Sequence, residues 1–234
     1  MRVRQRLVAA PDGPRTVVHA GPTAIYVDLD GWCLGLVAAT ATRVPCALWS
    51  SLPDLGELAH GPVRVERGAL VVAGHEIRPA RLVDPTARHL GRRGRWVSGR
   101  PLALTYGLDL PSDGPLTADD AVRLVGRGPG LTPLGDDVLA GWFATRHAAG
   151  QPDEALADAV RRHLGATTLL SATLLDCAMR GETLPQLATW LAVPNPLARL
   201  ALAAVGATSG TGLLAGAELA LASLATDHRP GRAA

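Results

Sequence analysis

Lysine is absent from the sequence: all 23 basic side chains of the 234-residue chain are arginines. Without lysine, the chain has no group for Schiff-base chemistry or for anchoring pyridoxal phosphate. It also lacks the lysine of the nucleotide-binding phosphate loop and of protein kinases. Aromatic residues make up only 3% of the chain, which disfavours platforms that stack nucleic-acid bases on aromatic rings. The composition therefore excludes the lysine-dependent enzyme classes and argues against single-strand binding.

Cysteine is also rare. The three cysteines, Cys33, Cys46 and Cys177, form no CxxC pair and are odd in number. This pattern argues against a disulfide framework and gives no support for a zinc site. The apolar stretch after the basic N-terminal residues is too short for the core of a signal peptide. We therefore expect a protein of the reducing cytoplasm.

The stretch 200–217 carries no charge over 18 residues. It contains two glycine pairs at GxxxG spacing, Gly206 with Gly210 and Gly212 with Gly216, a pattern found in membrane helices. Its centre, GATSGTG, is polar and typical of a turn, and charged residues flank the stretch closely. We therefore expect two buried helices joined by a glycine loop, and no membrane span.

The first half of the chain has the pattern of a β-rich domain. Residues 1–110 contain 14 arginines and 9 acidic residues, whereas residues 111–234 contain 9 arginines and 12 acidic residues. Short β-prone runs in the first half are separated by turns, with hairpin signals at Asp30-Gly31 and Arg67-Gly68. Strands are predicted at 24–29, 32–38, 63–66, 69–72 and 76–78.

The second half has the start and stop signals of helices. Thr117 and Asp120 have the spacing of a capping box, and glycines recur where successive helices would end. The sequence thus predicts an α+β fold, in which a β-rich N-terminal domain (1–110) is followed by an all-α C-terminal helical domain (111–226). We expect the tail, 227–234, to be disordered.

A first candidate for chemistry is the segment 126–137, GRGPGLTPLGDD, with four glycines. One interpretation is structural: Thr132 caps a helix that starts at Pro133, and the acidic residues favour the positive end of the helix dipole. The other is functional, because glycine lets a ligand approach the backbone closely. Asp136 and Asp137 would then bind a divalent cation, accept hydrogen bonds from a substrate amide or act as a base.

Two later segments would complete a site. The loop 206–212, GATSGTG, opens a predicted helix, and its backbone N–H groups and hydroxyls suit a carboxylate or phosphate; the alternative is a plain turn capped by Thr211. In the predicted helix 166–177, Thr167 and Ser171 are four residues apart and share a face. That face predicts either a wall of the site or close helix packing with hydroxyls bonded to their own backbone.

The segment 88–100 contains five arginines in thirteen residues. Nucleic-acid binding is disfavoured, because the net charge is only +2 and the cluster contains a single tryptophan. A solvated loop or a contact with an acidic partner subunit is the preferred interpretation. The seven histidines show no metal-binding spacing.

Taken together, three stretches resemble the AllH family of oxamate carbamoyltransferase subunits. GRGPGLTPLGDDVLAG (126–141) resembles the family's glycine-rich motif, 166–187 resembles its Thr/Ser helix and following turn, and 205–221 resembles its loop and final helix. The strand-rich first half is only loosely similar. The sequence departs from the family pattern at three positions: Leu134 where Ser is usual, and Ala207 and Gly212 where His and Asp are common.

The resemblance implies a subunit of an enzyme that moves a carbamoyl group from oxalurate to phosphate, giving oxamate and carbamoyl phosphate, in purine and allantoin nitrogen catabolism. We expect Asp136 or Asp137 to take up a proton from an amide nitrogen. The loop 206–212 would hold a carboxylate or phosphate. Arg127 would neutralise negative charge between that loop and the two aspartates. The candidate catalytic residues are Asp136 and Asp137, and the candidate substrate- or anion-binding residues are Arg127, Gly128, Gly130, Thr132, Gly135, Thr167, Ser171, Thr208, Ser209, Gly210 and Thr211.

Two other functions remain open from the sequence. The chain would be a non-catalytic ligand-binding or scaffold subunit if a partner performs the chemistry, an alternative favoured by the basic segment 88–100 and by Ala207. It would be a metal-dependent enzyme on another carbamoyl or amide compound if Asp136 and Asp137 hold Mg²⁺. No other cofactor is expected. The expected partners are further subunits of the complex and a small anionic substrate, with a homo-oligomer left open and neither nucleic acid nor membrane involved.

Overall fold

The computed structural model describes residues 2–91, 108, 110–111 and 114–227. By their internal contacts they divide into two compact units, Met1–Pro85 and Thr86–Ala234. All named strands lie in the first unit, and the helices from residue 118 onwards lie in the second. The predicted α+β fold, with strands before helices, is confirmed.

The N-terminal unit contains one helix and two four-stranded sheets. One sheet has the order β2-β3-β4-β5 and the other the order β1-β6-β7-β8. Every pairing is antiparallel except that of β4 with β5. The elements are α1 (Arg2–Ala9), β1 (Gly13–Pro14), β2 (Val17–Ala20), β3 (Ala24–Asp28), β4 (Cys33–Val37), β5 (Ala47–Trp49), β6 (Val63–Glu66), β7 (Ala69–Val72) and β8 (His75–Ile77).

Both predicted hairpins are present. Asp30 and Gly31 join β3 to β4 with φ of 54° and 82°, and Arg67 and Gly68 join β6 to β7 with φ of 48° and 72°. Positive φ at both central residues is the geometry of a turn that matches the twist of paired strands. The apolar strands β4 and β7 are buried along their whole length and form the core of their sheets.

The cysteines carry no disulfide, as the sequence indicated. Cys33, Cys46 and Cys177 are all buried thiols. Burial, with a smaller contribution from the charge of Asp28, raises the pKa of Cys33 to about 12. A thiol that stays protonated in this way is a poor nucleophile, so Cys33 serves packing.

The helical unit begins with a confirmed capping box. Thr117 accepts a hydrogen bond from the Asp120 N–H, and the Asp120 carboxylate accepts one from the Thr117 N–H. Burial disfavours the charged form of Asp120, but hydrogen bonds from Thr117 and Arg123 outweigh it and lower the pKa of Asp120. The helices are α2 (Ala118–Leu124), α3 (Leu134–Ala148), α4 (Glu154–His163), α5 (Leu169–Ala178), α6 (Pro185–Ala192), α7 (Pro196–Ala203) and α8 (Ser209–Asp227), with a 3₁₀ turn at Leu164–Ala166.

The centre of this unit is the close approach of α3 and α8. A Cβ at Gly216 would lie 1.8 Å from the Val138 carbonyl oxygen, and one at Gly141 would lie 2.1 Å from the Leu213 carbonyl oxygen. Such contacts leave no room for a side chain, so glycine is required where the two helices meet. Gly216, from one of the GxxxG pairs, therefore serves helix packing inside the unit.

For residues 200–217, the two predicted helices joined by a turn are present, but the prediction that both are buried is wrong. α7 ends at Ala203 and α8 begins at Ser209, with a turn between them. α8 is largely buried, but Leu202 is the only buried residue of α7. No helix among the described residues is long and apolar enough to cross a membrane.

The residues that follow Pro85 bond to the helical unit. Thr86 forms a β-bridge with Glu182, the Ala87 N–H donates to the Gly181 carbonyl, and the Leu90 N–H donates to the Ala148 carbonyl. The predicted boundary at 110/111 lies beside residues that the structure does not describe, and it stays a prediction. The predicted tail begins at Asp227, which is the last residue of α8; 228–234 lie outside the described residues.

We expect Gly216→Ala to lower the free energy of unfolding by about 1–3 kcal/mol, because the added methyl group overpacks the α3–α8 contact. Gly165→Ala is the matched control, since a Cβ there meets nothing within 4 Å. Urea denaturation followed by circular dichroism measures both. Equal stability of the two variants would contradict the close approach of α3 and α8.

Candidate functional site

The glycine-rich segment folds back onto the first turn of α3. Gly126, Gly128 and Gly130 have φ of 72°, 119° and 94°, which side chains rarely adopt. The Gly135 N–H donates to the Arg127 carbonyl oxygen at 2.9 Å. A Cβ at Gly126 would lie 2.2 Å from the carbonyl oxygen of Ala166, so this glycine is needed for both conformation and packing.

Asp136 lies at the centre of this fold-back and accepts three hydrogen bonds. The Gly126 N–H donates to Oδ1 at 2.8 Å, the Ser171 hydroxyl donates to Oδ2 at 2.7 Å, and the Thr167 hydroxyl also donates to Oδ2. The predicted helix face shared by Thr167 and Ser171 is wrong, because Thr167 lies in extended backbone before α5 begins at Leu169. The two hydroxyls nevertheless reach the same carboxylate oxygen. Burial raises the pKa of Asp136, and the three hydrogen bonds oppose that rise because they stabilise the charged form.

Two further hydroxyls tie the loop to the neighbouring helices. Thr168 caps α5 by accepting from the Ser171 N–H, and it donates to the Leu131 carbonyl oxygen at 2.6 Å. Thr132 and Ser209 share a hydrogen bond of 2.9 Å between their hydroxyl oxygens. The three segments singled out from the sequence are therefore brought together.

The structural alternatives, in which Thr132 and Thr211 cap the helices that follow them, are wrong. α3 begins at Leu134, and its N-cap, Pro133, offers no side-chain hydrogen bond. The Thr132 hydroxyl is directed to Ser209 instead. Likewise α8 begins at Ser209, so Thr211 lies inside the helix and not at its cap. The sequence did not reveal that Thr168 tethers the loop, because the contact with Leu131 spans 37 residues.

Asp137 has a different environment from Asp136. It is only 6% exposed, and its Oδ2 is buried without a hydrogen-bond partner among the described residues. Burial is the main cause that raises the pKa of Asp137 well above its usual range. A hydrogen bond with Ser209 opposes the rise, and the charge of Asp136 adds to it. The site therefore contains one buried carboxyl oxygen without a hydrogen-bond partner among the described residues.

The first turn of α8 packs directly against Asp137. A Cβ at Gly212 would lie 2.7 Å from the Asp137 Cβ and 2.9 Å from the Leu134 Cδ1. Two of the departures from the family pattern, Leu134 and Gly212, are thus in contact with each other. At the start of this 19-residue helix, the Gly210 and Gly212 N–H groups donate to the Val205 and Thr208 carbonyl oxygens.

The remaining candidates differ in how accessible they are. Arg127, Gly128 and Gly130 are exposed, and Thr208, Ser209 and Thr211 are partly exposed. Gly135 and Gly210 are buried, where a Cβ would lie 2.1 Å from the Leu124 carbonyl oxygen and 1.8 Å from the Leu202 carbonyl oxygen respectively. Packing alone accounts for these last two glycines.

No group of three or more metal-ligating side chains is found in the part of the chain that the structure describes. Both oxygens of Asp136 already accept hydrogen bonds from the protein, so this carboxylate offers little to a cation. The Mg²⁺ alternative at Asp136 and Asp137 stays a prediction. Of the basic segment 88–100, residues 92–100 lie outside the described residues.

Asp137 should make the protein less stable as the pH rises. An aspartate ionises at about pH 3.9 in an unfolded chain, whereas the folded chain keeps the Asp137 proton to higher pH. The contribution of Asp137 to stability is therefore greatest below pH ~4 and is lost as the pH rises through its folded pKa. Asp137→Asn should weaken this dependence in urea denaturation at several pH values, with Asp158→Asn, a surface change, as the control. Parallel pH curves for Asp137→Asn and the unmodified chain would contradict the buried, ionisable state of Asp137.

A comparison with protein-family models matches the helical part of the chain. Residues 124–221 match the family model described as oxamate carbamoyltransferase subunit AllH. Neither the curated proteins nor the solved structures contain a match. The matched region contains all three stretches on which the sequence resemblance rests and nearly all of the site described above. The resemblance of the sequence to the AllH family is thus supported over residues 124–221.

Proposed function

We propose that this chain is a subunit of an oxamate carbamoyltransferase-like complex of the cytoplasm. The reaction is the transfer of the carbamoyl group of oxalurate to phosphate, which yields oxamate and carbamoyl phosphate in purine and allantoin nitrogen catabolism. The description of the matched family supports the proposal. The helical unit would hold the small anionic substrate, and other subunits of the complex would be its partners.

One observation carries the proposal: the three matched stretches meet at a pair of buried aspartates. Hydrogen bonds from Thr167 and Ser171 reach Asp136, and the start of α8 lies against Asp137. Buried carboxyl groups are costly unless they are paired, and perturbed ones cluster at functional sites. A buried carboxyl oxygen without a partner, placed beside a helix N-terminus, is suited to bind and protonate a polar substrate.

The chemistry needs a group that exchanges a proton with nitrogen. When the carbamoyl carbon leaves the oxamate nitrogen, that nitrogen must gain a proton, and it must lose one in the reverse reaction. A carboxyl group within hydrogen-bonding reach performs both tasks. Asp136 and Asp137 are the candidates for this role.

The anionic parts of the substrate would be held at the start of α8 and at the glycine loop. Helix N-termini favour carboxylate and phosphate groups, because unpaired N–H groups and the helix dipole point toward them. The hydroxyls of Thr208, Ser209 and Thr211 lie at that point and are partly exposed. Arg127 is exposed on the glycine loop, where its guanidinium would neutralise charge on the substrate.

Asp137→Asn should lower phosphate-dependent oxalurate breakdown by about 100-fold or more, because general acid or base catalysis contributes about 10²–10⁴-fold. Ser209→Ala should also lower the rate, since it removes a hydroxyl at the proposed anion site. Both variants are assayed as the complex with partner subunits, with circular dichroism to check folding.

Asp158→Asn is the matched control, because Asp158 is an exposed acidic residue on α4, paired with Arg161. It should retain full activity. Full activity in both Asp137→Asn and Ser209→Ala would remove the basis for placing the reaction in this site.

The scaffold alternative has one structural observation in its favour. Leu197 and Leu200 of α7 are 79% and 66% exposed, and Val193, just before this helix, is 60% exposed. Large exposed apolar side chains of this kind suit contact with another subunit or a second copy of the chain. The purified chain, assayed alone for phosphate-dependent oxalurate breakdown, separates the two: activity of the chain by itself contradicts a purely structural role.

A further inference from the structure

The two neighbouring aspartates are not equivalent in their hydrogen bonding. Asp136 accepts from one N–H and two hydroxyls, and both of its oxygens are occupied. Asp137 has an oxygen, Oδ2, that is buried and has no partner among the described residues. Three donors around one carboxylate favour its ionised form, whereas burial with one oxygen unpartnered and a single hydrogen bond, with Ser209, favours the neutral acid.

The surroundings of Asp137 strengthen this difference. Leu134 and the backbone of Gly212 lie close to it, and Ser209 is its hydrogen-bonding neighbour. Two carboxyl groups that share a buried site do not both ionise readily, because the second charge is repelled by the first. With Asp136 ionised and held by its three donors, the proton belongs on Asp137.

The other charged groups on the packed elements do not reverse this assignment. On α8, Ser209 faces Asp137, and Glu218 pairs with Arg199 at 2.6 Å. The α5 side contributes hydroxyls, which are directed to Asp136. On α2, Asp120 is engaged by Thr117 and Arg123. Among the described residues, the charge that acts on Asp137 is therefore that of Asp136.

We propose that Asp136 is the ionised positioning residue that holds the three segments together, and that Asp137 is a neutral acid that protonates the amide nitrogen leaving the carbamoyl group. The assignment rests on the proposed function for its substrate. It goes beyond that function in giving the two carboxyl groups separate tasks and in fixing the protonation state of Asp137 at the start of the reaction.

The proposed step is balanced in atoms and electrons. A phosphate oxygen attacks the carbamoyl carbon of oxalurate, and a carbon–oxygen bond forms. The bond from that carbon to the oxamate nitrogen breaks, its electron pair passes to the nitrogen, and the proton of Asp137 moves to the same nitrogen. The proton that phosphate loses on becoming carbamoyl phosphate then returns to Asp137, which is reset as the acid.

The protonation state of Asp137 is tested without any activity assay. In the full chain labelled with ¹³C-aspartate, the Asp137 carboxyl resonance is followed by NMR from acid to alkaline pH and is identified by its loss in Asp137→Asn. We expect it to titrate at a clearly higher pH than an ordinary aspartate. Titration near the ordinary aspartate value of about 4 would overturn the assignment, whatever the complex catalyses.

The role of Asp136 is tested by the same resonance. Asp136→Asn should move the titration of Asp137 to lower pH, because a neighbouring negative charge is removed. Loss of a purely structural residue would not move the titration in that direction. Asp158→Asn, the surface control on α4, should leave it unchanged. An unchanged titration in folded Asp136→Asn would contradict an ionised Asp136.

Kinetics of the complex separate this inference from the proposed function. Oxalurate breakdown with phosphate needs the acid form, so its kcat should fall about tenfold per pH unit above the Asp137 pKa. Carbamoyl phosphate with oxamate needs the carboxylate form, so its kcat should fall on the acid side. If the complex is active and the Asp137→Asn complex keeps both the alkaline and the acid fall in kcat, Asp137 is not the acid. The proposed function then stands and only this inference is wrong. If the complex of unmodified subunits shows neither reaction, the proposed function fails.

Discussion

The carboxylate of Asp136 is the interaction on which the arrangement of the helical unit depends. It accepts from the backbone of Gly126 at one oxygen and from the Thr167 and Ser171 hydroxyls at the other. These donors come from parts of the chain separated by up to 45 residues (126 to 171). A charge that is desolvated in this way is stable only if its donors stay in place, so the same bonds that stabilise Asp136 fix the glycine loop against α5.

The approach of α3 and α8 supplies the second half of the site. Where the helices meet, Gly141, Gly212 and Gly216 are packed so closely against the facing helix that a side chain at any of the three would not fit. The first turn of α8 is therefore brought against Asp137, and the bond between Thr132 and Ser209 ties the loop to that turn. Packing and polar contacts thus converge on one short stretch of α3, which explains why two adjacent acids have different surroundings.

Local patterns in the sequence predicted local structure well. The hairpins at Asp30-Gly31 and Arg67-Gly68 and the capping box of Thr117 and Asp120 each depend on residues a few positions apart. Sequence spacing did not predict the parallel pairing of β4 with β5 or the bond from Thr132 to Ser209, because both join distant segments. The difference between Asp136 and Asp137 was also invisible, since neighbours in sequence acquire separate environments only when three helices pack around them.

Gly212 constrains the side chains that its neighbours in the site can carry. The position where its Cβ would stand is already occupied by the Leu134 side chain and by the Cβ of Asp137. A side chain at 212 would need less bulk at 134, or else it would displace the carboxyl group of Asp137. Positions 134, 137 and 212 therefore share one volume, and substitutions at them should not be additive in their effects on stability.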